Sequence, residues 1–368
     1  MLPTSSFSPW PSSRPCCCRC STLSVARKKP VAVSRRPRGG SLSSATSTSS
    51  AGCRTARCAP SPCSTGPSCS SASAVVVSSA CAAQDHVFAT RPSSLTIPRT
   101  LLYGCTDIAF APHGAYWRGA RKMAVHVLLS LQKEESAGPT EWRLSRDNVK
   151  ALLEDLFGAG TEATIIVLEW AMAELLRDKG AMQRLQHEVR RAGTGAADNE
   201  SSLQITEQDL PGMEYLRAVI KETMRLHTPG PLLLPREAMR ATRIQGHHDV
   251  PAGAMVIVNA WAIARDPEAW EAPEEFRPER FVGSAVDFRG HHFQLIPFGA
   301  GRRMCPGLNL SMSVVELALA NLVGRFEWAL PEAEPELDME EAPGCTSRRS
   351  APLRAIATRS CLAEANSM

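Results

Sequence analysis

A sharp break near residue 84 limits how much of this chain can fold. Residues 1–84 hold ten Lys or Arg and no Asp or Glu, whereas the remainder holds 31 basic against 37 acidic residues. The formal net charge of +4 therefore hides a basic leader joined to an acidic body. Residues 1–83 are low in complexity, rich in Ser, Arg, Cys and Pro, and show no helical or strand periodicity. Such a composition cannot bury enough apolar surface to offset the entropy of ordering the backbone, so disorder is expected there. Nine of the thirteen cysteines fall in this leader, but Cys16, Cys17 and Cys18 are adjacent and no histidine precedes His86. Those spacings match no zinc template. No run of 18 apolar residues occurs in it, so no membrane anchor is encoded there. Three origins fit the leader: a plastid transit peptide, a disordered arm drawn to anionic surfaces, or coding sequence read in a shifted frame.

Beyond residue 84 the pattern turns helical. Residues 114–132 read as a helix, basic at its start and apolar later. Ser145 can cap a long helix running to about Arg177, apolar over much of its circumference as a buried central helix would be. Gly158 and Gly160 interrupt it, each costing about 1 kcal/mol against Ala, and so call for a packing or functional reason. Residues 179–192 form an amphipathic helix, and 207–227 a short turn followed by a helix that ends before Pro229. From Leu232 to Ala262 the segments LLLP, TRIQG and AMVIVNAWAI read as strands bounded by Gly or Pro. Pro306 suits the first turn of a helix through Leu308–Leu322. Short strands are expected around Leu337–Met339 and Leu353–Ala357. The fold class is mainly α with a small β element, over residues 84–360, followed by a tail at 361–368.

The strongest local signal is Phe298-Gly-Ala-Gly-Arg-Arg-Met-Cys305-Pro-Gly307. A thiolate that ligates a metal must approach it closely while its sulfur accepts backbone N–H bonds that tune the site. Gly299 and Gly301 permit a tight turn, and Gly307 lets the next helix start beside the ligand. Arg303 can pair with an anionic group. Phe-x-x-Gly-x-Arg-x-Cys-x-Gly is the heme-thiolate signature, and a buried structural cysteine in a Gly-rich turn is the plainer alternative.

This decamer resembles the heme-binding loop of the cytochromes P450, and other segments fall in that family's order. Glu222 and Arg225 in KETMR look like its Glu-x-x-Arg, with Arg280 in Pro278-Glu-Arg-Phe281 as the third member of a buried network that supports the core. Trp117 and Arg121 in WRGAR resemble the Trp-x-x-x-Arg helix that contacts a heme propionate. Arg236 in Pro235-Arg236 resembles the strand arginine that reaches the other propionate. Ala159-Gly-Thr-Glu-Ala-Thr164 resembles the oxygen-activating stretch of the central helix. Glu162 supplies its acid, but Ala163 stands where the family has its first Thr. Thr164 follows one residue on and about 100° round the helix.

The resemblance runs from about Gln84 to Gln132 and again from about Ser145 to Ala357, closest to the plant microsomal subgroup. It implies an incomplete cytochrome P450 fold. Between Gln132 and Ser145 the family has five helices, including the pair that roofs the substrate cavity, where this chain has about a dozen residues. The family's N-terminal anchor and first sheet are replaced by the leader, which favours the shifted-frame origin. The resemblance further implies heme b as cofactor, Cys305 as the iron ligand, O2 and a small apolar organic compound as substrates, and an NADPH-dependent reductase as electron donor. Basic residues near Trp117 are candidates for docking that reductase, and no nucleic-acid partner is implied. The family resides in the endoplasmic reticulum membrane; without an anchor this chain is expected to be cytoplasmic or mis-targeted, with a plastid less favoured. Two rival readings stand beside monooxygenation. One is an inactive heme-binding remnant or unstable product with a large apolar surface exposed. The other is an isomerase or dehydratase that rearranges peroxides without activating O2.

Overall fold

The computed structural model describes residues 23–26, 83–129, 144–193, 204–244, 246, 248–334 and 336–360. The long helix is α3 (Arg146–Arg177), preceded by α1 (Thr96–Leu101) and α2 (Ala115–Met123). Ser145 caps it as its sequence predicts. The Ser145 hydroxyl accepts from the Asn148 amide at 3.1 Å, and the Asn148 side chain accepts from the Ser145 amide at 3.0 Å. This reciprocal bond satisfies donors that the first helical turn leaves free.

The main core lies between the second half of α3, α4 (Lys179–Gly193), α5 (Glu214–Leu226) and α7 (Leu308–Arg325). Leu175, Leu185, Leu216, Ile220, Leu319 and Val323 are buried among them. Trp170 of α3 stacks on His227, just past α5, with ring centroids 3.7 Å apart and planes 4° from parallel. The Glu174 carboxylate meets the same imidazole at 2.7 Å. The central helix and the helix ahead of the candidate site are thereby locked together.

The β structure is small. Within the leader, Leu23–Ala26 form a strand, β1, and the rest of the leader's expected disorder lies outside the described residues. Strand β5 (Met255–Val258) runs antiparallel to β1 on one side and to β2 (Arg236–Glu237) on the other. Strands β3 (Thr242–Ile244) and β4 (His248–Val250) form a hairpin, with Thr242 opposite Val250. Strands β6 (Phe326–Ala329) and β7 (Ile356–Arg359) pair antiparallel, with Phe326 opposite Arg359.

Several local expectations are corrected. The LLLP segment is not a strand: the Leu233 amide bonds back to the Gly230 carbonyl, and Leu233 takes a left-handed φ of 48° that ends any extended run. The apolar run AMVIVNAWAI divides in two. It leaves β5 at Val258, Asn259 accepts from the Ala262 amide, and the short helix α6 (Ala260–Ala264) begins. Residues 337–339 form no strand, and β7 pairs instead with β6, which directly continues α7. The helix expected over 114–132 runs as α2 to Met123 and continues as a π-helical turn, Ala124–Leu128; residues 130–143 lie outside the described residues.

The largest difference concerns α3. Its second half is buried, but Val149, Leu153, Phe157 and Ile165 stand exposed, Phe157 at 71%. The uniform apolar pattern fits a helix enclosed on all sides, whereas among the described residues these four side chains are left facing solvent. Gly158 and Gly160 likewise face open space. Among the described residues no helix is long and apolar enough to cross a membrane.

Candidate functional site

The loop from Phe298 to Gly307 sits where α7 begins. Its tight path depends on two glycines, Gly299 at φ 72° and Gly301 at φ 71°, a region costly for any residue with a Cβ. Gly301 has a second reason to be glycine, since a Cβ there would lie 2.6 Å from the Asp85 carboxylate. Asp85 is that close because it seats the loop. One of its oxygens accepts from the Arg302 amide at 2.9 Å, and the other pairs with Arg236 at 3.1 Å. Arg236 also donates to the Ala300 carbonyl at 2.9 Å. The loop closes with the Cys305 amide bonded to the Phe298 carbonyl at 2.9 Å. Phe298 packs against Phe288, with ring centroids 5.4 Å apart.

Cys305 is half-buried. Burial raises its thiol above the ordinary range, while the Gly307 N–H donated to the sulfur and the charge of Arg121 act to lower it. A Cβ at Gly307 would sit 4.0 Å from that sulfur, an ordinary van der Waals contact, so Gly307 lies directly beside the thiol. Arg121, on α2, donates to the Met304 carbonyl at 2.6 Å and ties that helix to the ligand loop.

A cluster of cations surrounds the loop. Arg303 is buried and donates to the carbonyls of Ala89 and Ala111 at 2.6 Å each and to that of Ile108 at 3.2 Å. Its guanidinium lies 4.1 Å from the Trp117 ring centroid, and the Trp117 indole N–H donates to the Ile108 carbonyl at 3.0 Å. Burial and the nearby charges of Arg236 and Arg121 pull Arg303 down to about 10. Arg91 lies beside it, donating to Ala109 at 2.7 Å and to Leu234 at 2.9 Å. Burial, then Arg303 and Arg236, bring Arg91 to about 9, which still leaves it charged at neutral pH. Of these cations Arg236 has a carboxylate partner, while Arg91, Arg121 and Arg303 donate to backbone carbonyls. Buried like charges in mutual repulsion are arranged to favour an anion.

Glu222 joins Arg225 and Arg280 through direct ion pairs. Arg225 donates to both Glu222 oxygens, at 2.8 and 2.9 Å, and Arg280 donates to one of them at 3.0 Å. The Arg277 amide adds a further bond at 2.8 Å. Arg225 also reaches the carbonyls of Ala264, Pro273 and Glu275. An i,i+3 pair is usually solvated, but this one is fully buried with its hydrogen-bonding capacity used.

The two residues expected to handle protons each have a hydrogen-bond partner on the described chain. Glu162 accepts from the Thr346 hydroxyl at 2.9 Å and faces Arg348 at 3.6 Å, and Thr164 donates to the Gly160 carbonyl of its own helix at 2.7 Å. Sequence reasoning missed Asp85 and Arg91. Their roles depend on the approach of segments more than 140 residues apart, such as Arg91 to Leu234 and Asp85 to Arg236.

A family model described as Cytochrome P450 matches residues 118–353. Cytochrome P450 71A8 of Mentha piperita is 51% identical over 240 residues, which is 65% of this chain and 46% of the relative. Norfluorocurarine oxidase of a Strychnos species is 54% identical over 220 residues, 59% of this chain and 42% of that protein. The chain thus spans about half the length of the curated relatives it matches. A solved zebrafish cytochrome P450, described as a structure with abiraterone, superposes with a TM-score of 0.66 over 78% of this chain and 92% of its own, at 22% identity.

Proposed function

The chain belongs to the cytochrome P450 family, and from that membership we propose that it is a heme-thiolate monooxygenase, with Cys305 as the ligand of the iron of heme b. The observation that carries the reading is the pairing of a half-buried thiol, held by the Gly307 N–H, with buried arginines, Arg91 and Arg303, that among the described residues donate to backbone carbonyls and not to a carboxylate. A dianionic macrocycle edge beside a soft sulfur donor suits that combination. Bound heme supplies the redox-active iron at which O2 is reduced with electrons from an NADPH-dependent reductase.

The chain's own residues then have assignable parts. Cys305 binds through sulfur, and the Gly307 amide holds charge on it. Arg121, Arg236 and Arg303, with the Trp117 edge, orient the acidic side chains of the macrocycle. Phe298, Gly299 and Gly301 shape the loop that presents the thiol. Glu162 is the candidate for proton delivery, its carboxylate held by Thr346 and facing Arg348, and Thr164 is a second candidate two residues on, its hydroxyl bonded to the Gly160 carbonyl. The Glu222, Arg225 and Arg280 network holds the loop's foundation and takes no chemical part. A small apolar substrate suits the exposed Phe157, Ile165, Leu232 and Leu234. The endoplasmic reticulum surface, where plant relatives work, suits the proposed reductase.

One observation favours a second reading, the inactive heme-binding remnant: the same apolar side chains of α3 stand in solvent. Reconstitution of the chain with an NADPH-dependent reductase, heme and 18O2 separates the two. Monooxygenation predicts one labelled oxygen atom in an apolar substrate and NADPH consumed in step with it. Heme uptake without label in any product contradicts turnover and leaves the remnant.

A further inference from the structure

Asp107 and Asp155 belong to none of the parts assigned above. Asp107 is fully buried in the loop before α2, and Asp155 is on α3. One Asp155 oxygen accepts from the amides of Ile108 at 2.7 Å and Ala109 at 3.0 Å. One Asp107 oxygen accepts from the Phe110 amide at 2.7 Å, its other oxygen is buried without a hydrogen-bond partner, and the Asp155 carboxylate lies against the Asp107 carboxyl group. Two carboxylates cannot face each other in a buried site, and a single proton between them removes both the repulsion and the unsatisfied oxygen.

We propose that Asp107 and Asp155 share one proton and so form a clasp that holds α3 to the 107–111 segment, and that loss of this proton loosens the clasp. The segment is a hub. Its Ile108 carbonyl accepts from Trp117 and Arg303, its Ala109 carbonyl from Arg91, and its Ala111 carbonyl from Arg303. Ile108 also packs with Leu152 of α3 and Ala124. The chain enters the hub through three successive left-handed residues, Tyr103 at φ 49°, Gly104 at 79° and Cys105 at 63°. Such a conformation persists only where surrounding contacts hold it. Asp155 therefore acts as a positioning residue that fixes the distance between the central helix and the Cys305 loop. That last consequence rests on the reading of Cys305 as a ligand; the clasp itself does not.

The electrostatics agree with the geometry. Burial, then the Asp107 charge, raises Asp155 to about 7, and Asp107 is raised by burial as well. The groups facing the pair are Arg91, Arg303, Tyr116 and Cys105, each of which feels the Asp107 charge. The two arginines favour keeping one carboxylate ionised, which leaves one proton for two acids. An unfolded aspartate loses its proton near pH 4 and the folded pair near pH 7, so the pair's contribution to stability falls as pH rises between about 4 and about 7.

The test compares the full chain with Asp155→Asn and Asp155→Ala by hydrogen exchange of peptides covering 103–113 and 298–307, corrected for intrinsic rates. Asparagine keeps an acceptor for the Ile108 and Ala109 amides and donates permanently to Asp107, imitating the protonated pair. Wild-type exchange of 103–113 is expected to rise by about tenfold from pH 6 to pH 8, following the deprotonated fraction of one acid. The 298–307 loop is expected to move with it, Asp155→Asn to stay protected at both pH values, and Asp155→Ala to be unprotected at both. Equal pH profiles for wild type and Asp155→Asn would overturn the shared proton. Movement of 103–113 without 298–307 would overturn the link to the thiol loop. Thermal midpoints of wild type and Asp155→Asn across the same range provide a second readout, expected to diverge as pH rises.

Discussion

Gly301 carries two constraints at one residue. Its φ of 71° is unfavourable to any side chain, and its missing Cβ makes room for Asp85. Gly299 has the same φ sign but only Leu233 at 3.8 Å beside it. Gly299→Ala should therefore cost about 1–2 kcal/mol from backbone strain alone. Gly301→Ala should cost more, since Asp85 must also abandon Arg302 and Arg236. Denaturant melts of the two variants measure the difference, and a Gly301→Ala cost no larger than that of Gly299→Ala would show that Asp85 gives way freely. At this scale the sequence was informative where chemistry is concentrated in consecutive residues. The loop from Phe298 to Gly307 could be read directly as a tight turn at Gly299 and Gly301, though not the approach of Asp85 to Gly301. Asp85, Arg91 and the Asp107–Asp155 pair could not, because a lone Asp or Arg reveals nothing until a distant segment is placed against it.

Elements were legible according to how local their determinants are. The Ser145 cap and the Glu222–Arg225 spacing are written within four residues, and both take the expected geometry. Ser145→Ala should lower stability by about 1 kcal/mol, measurable by thermal melting, because the Asn148 amide loses its acceptor. Glu222→Ala should cost about 3–5 kcal/mol, since Arg225 would be left buried and unpaired. Glu222→Gln should fall between these, retaining an acceptor but not the charge. Short apolar runs were less readable. LLLP has the composition of a strand yet a left-handed Leu233 breaks it, and AMVIVNAWAI is a strand only over Met255–Val258, after which the Asn259 cap turns it into a helix. The Leu337–Met339 strand failed because β-pairing depends on a partner, and β7 found β6.

For the whole molecule, the mainly helical cytochrome P450 fold was legible because motifs from Trp117 to Cys305 occur in one order along the chain. The exposure of α3 was not, since an apolar helix face looks the same whether or not something covers it. Phe157→Ser and Ile165→Ser should reduce self-association in light scattering while changing stability by no more than about 0.5 kcal/mol, as these side chains bury little. A large loss of stability would mean the face is packed in solution. Every role proposed for these residues depends on Cys305 as a heme ligand. Its most direct test is the difference spectrum of the reduced, heme-loaded chain with carbon monoxide, alongside Cys305→Ala. A red-shifted, thiolate-type Soret band that vanishes in Cys305→Ala is the predicted result; a band unchanged by the substitution, or no heme uptake by the wild-type chain, would contradict it.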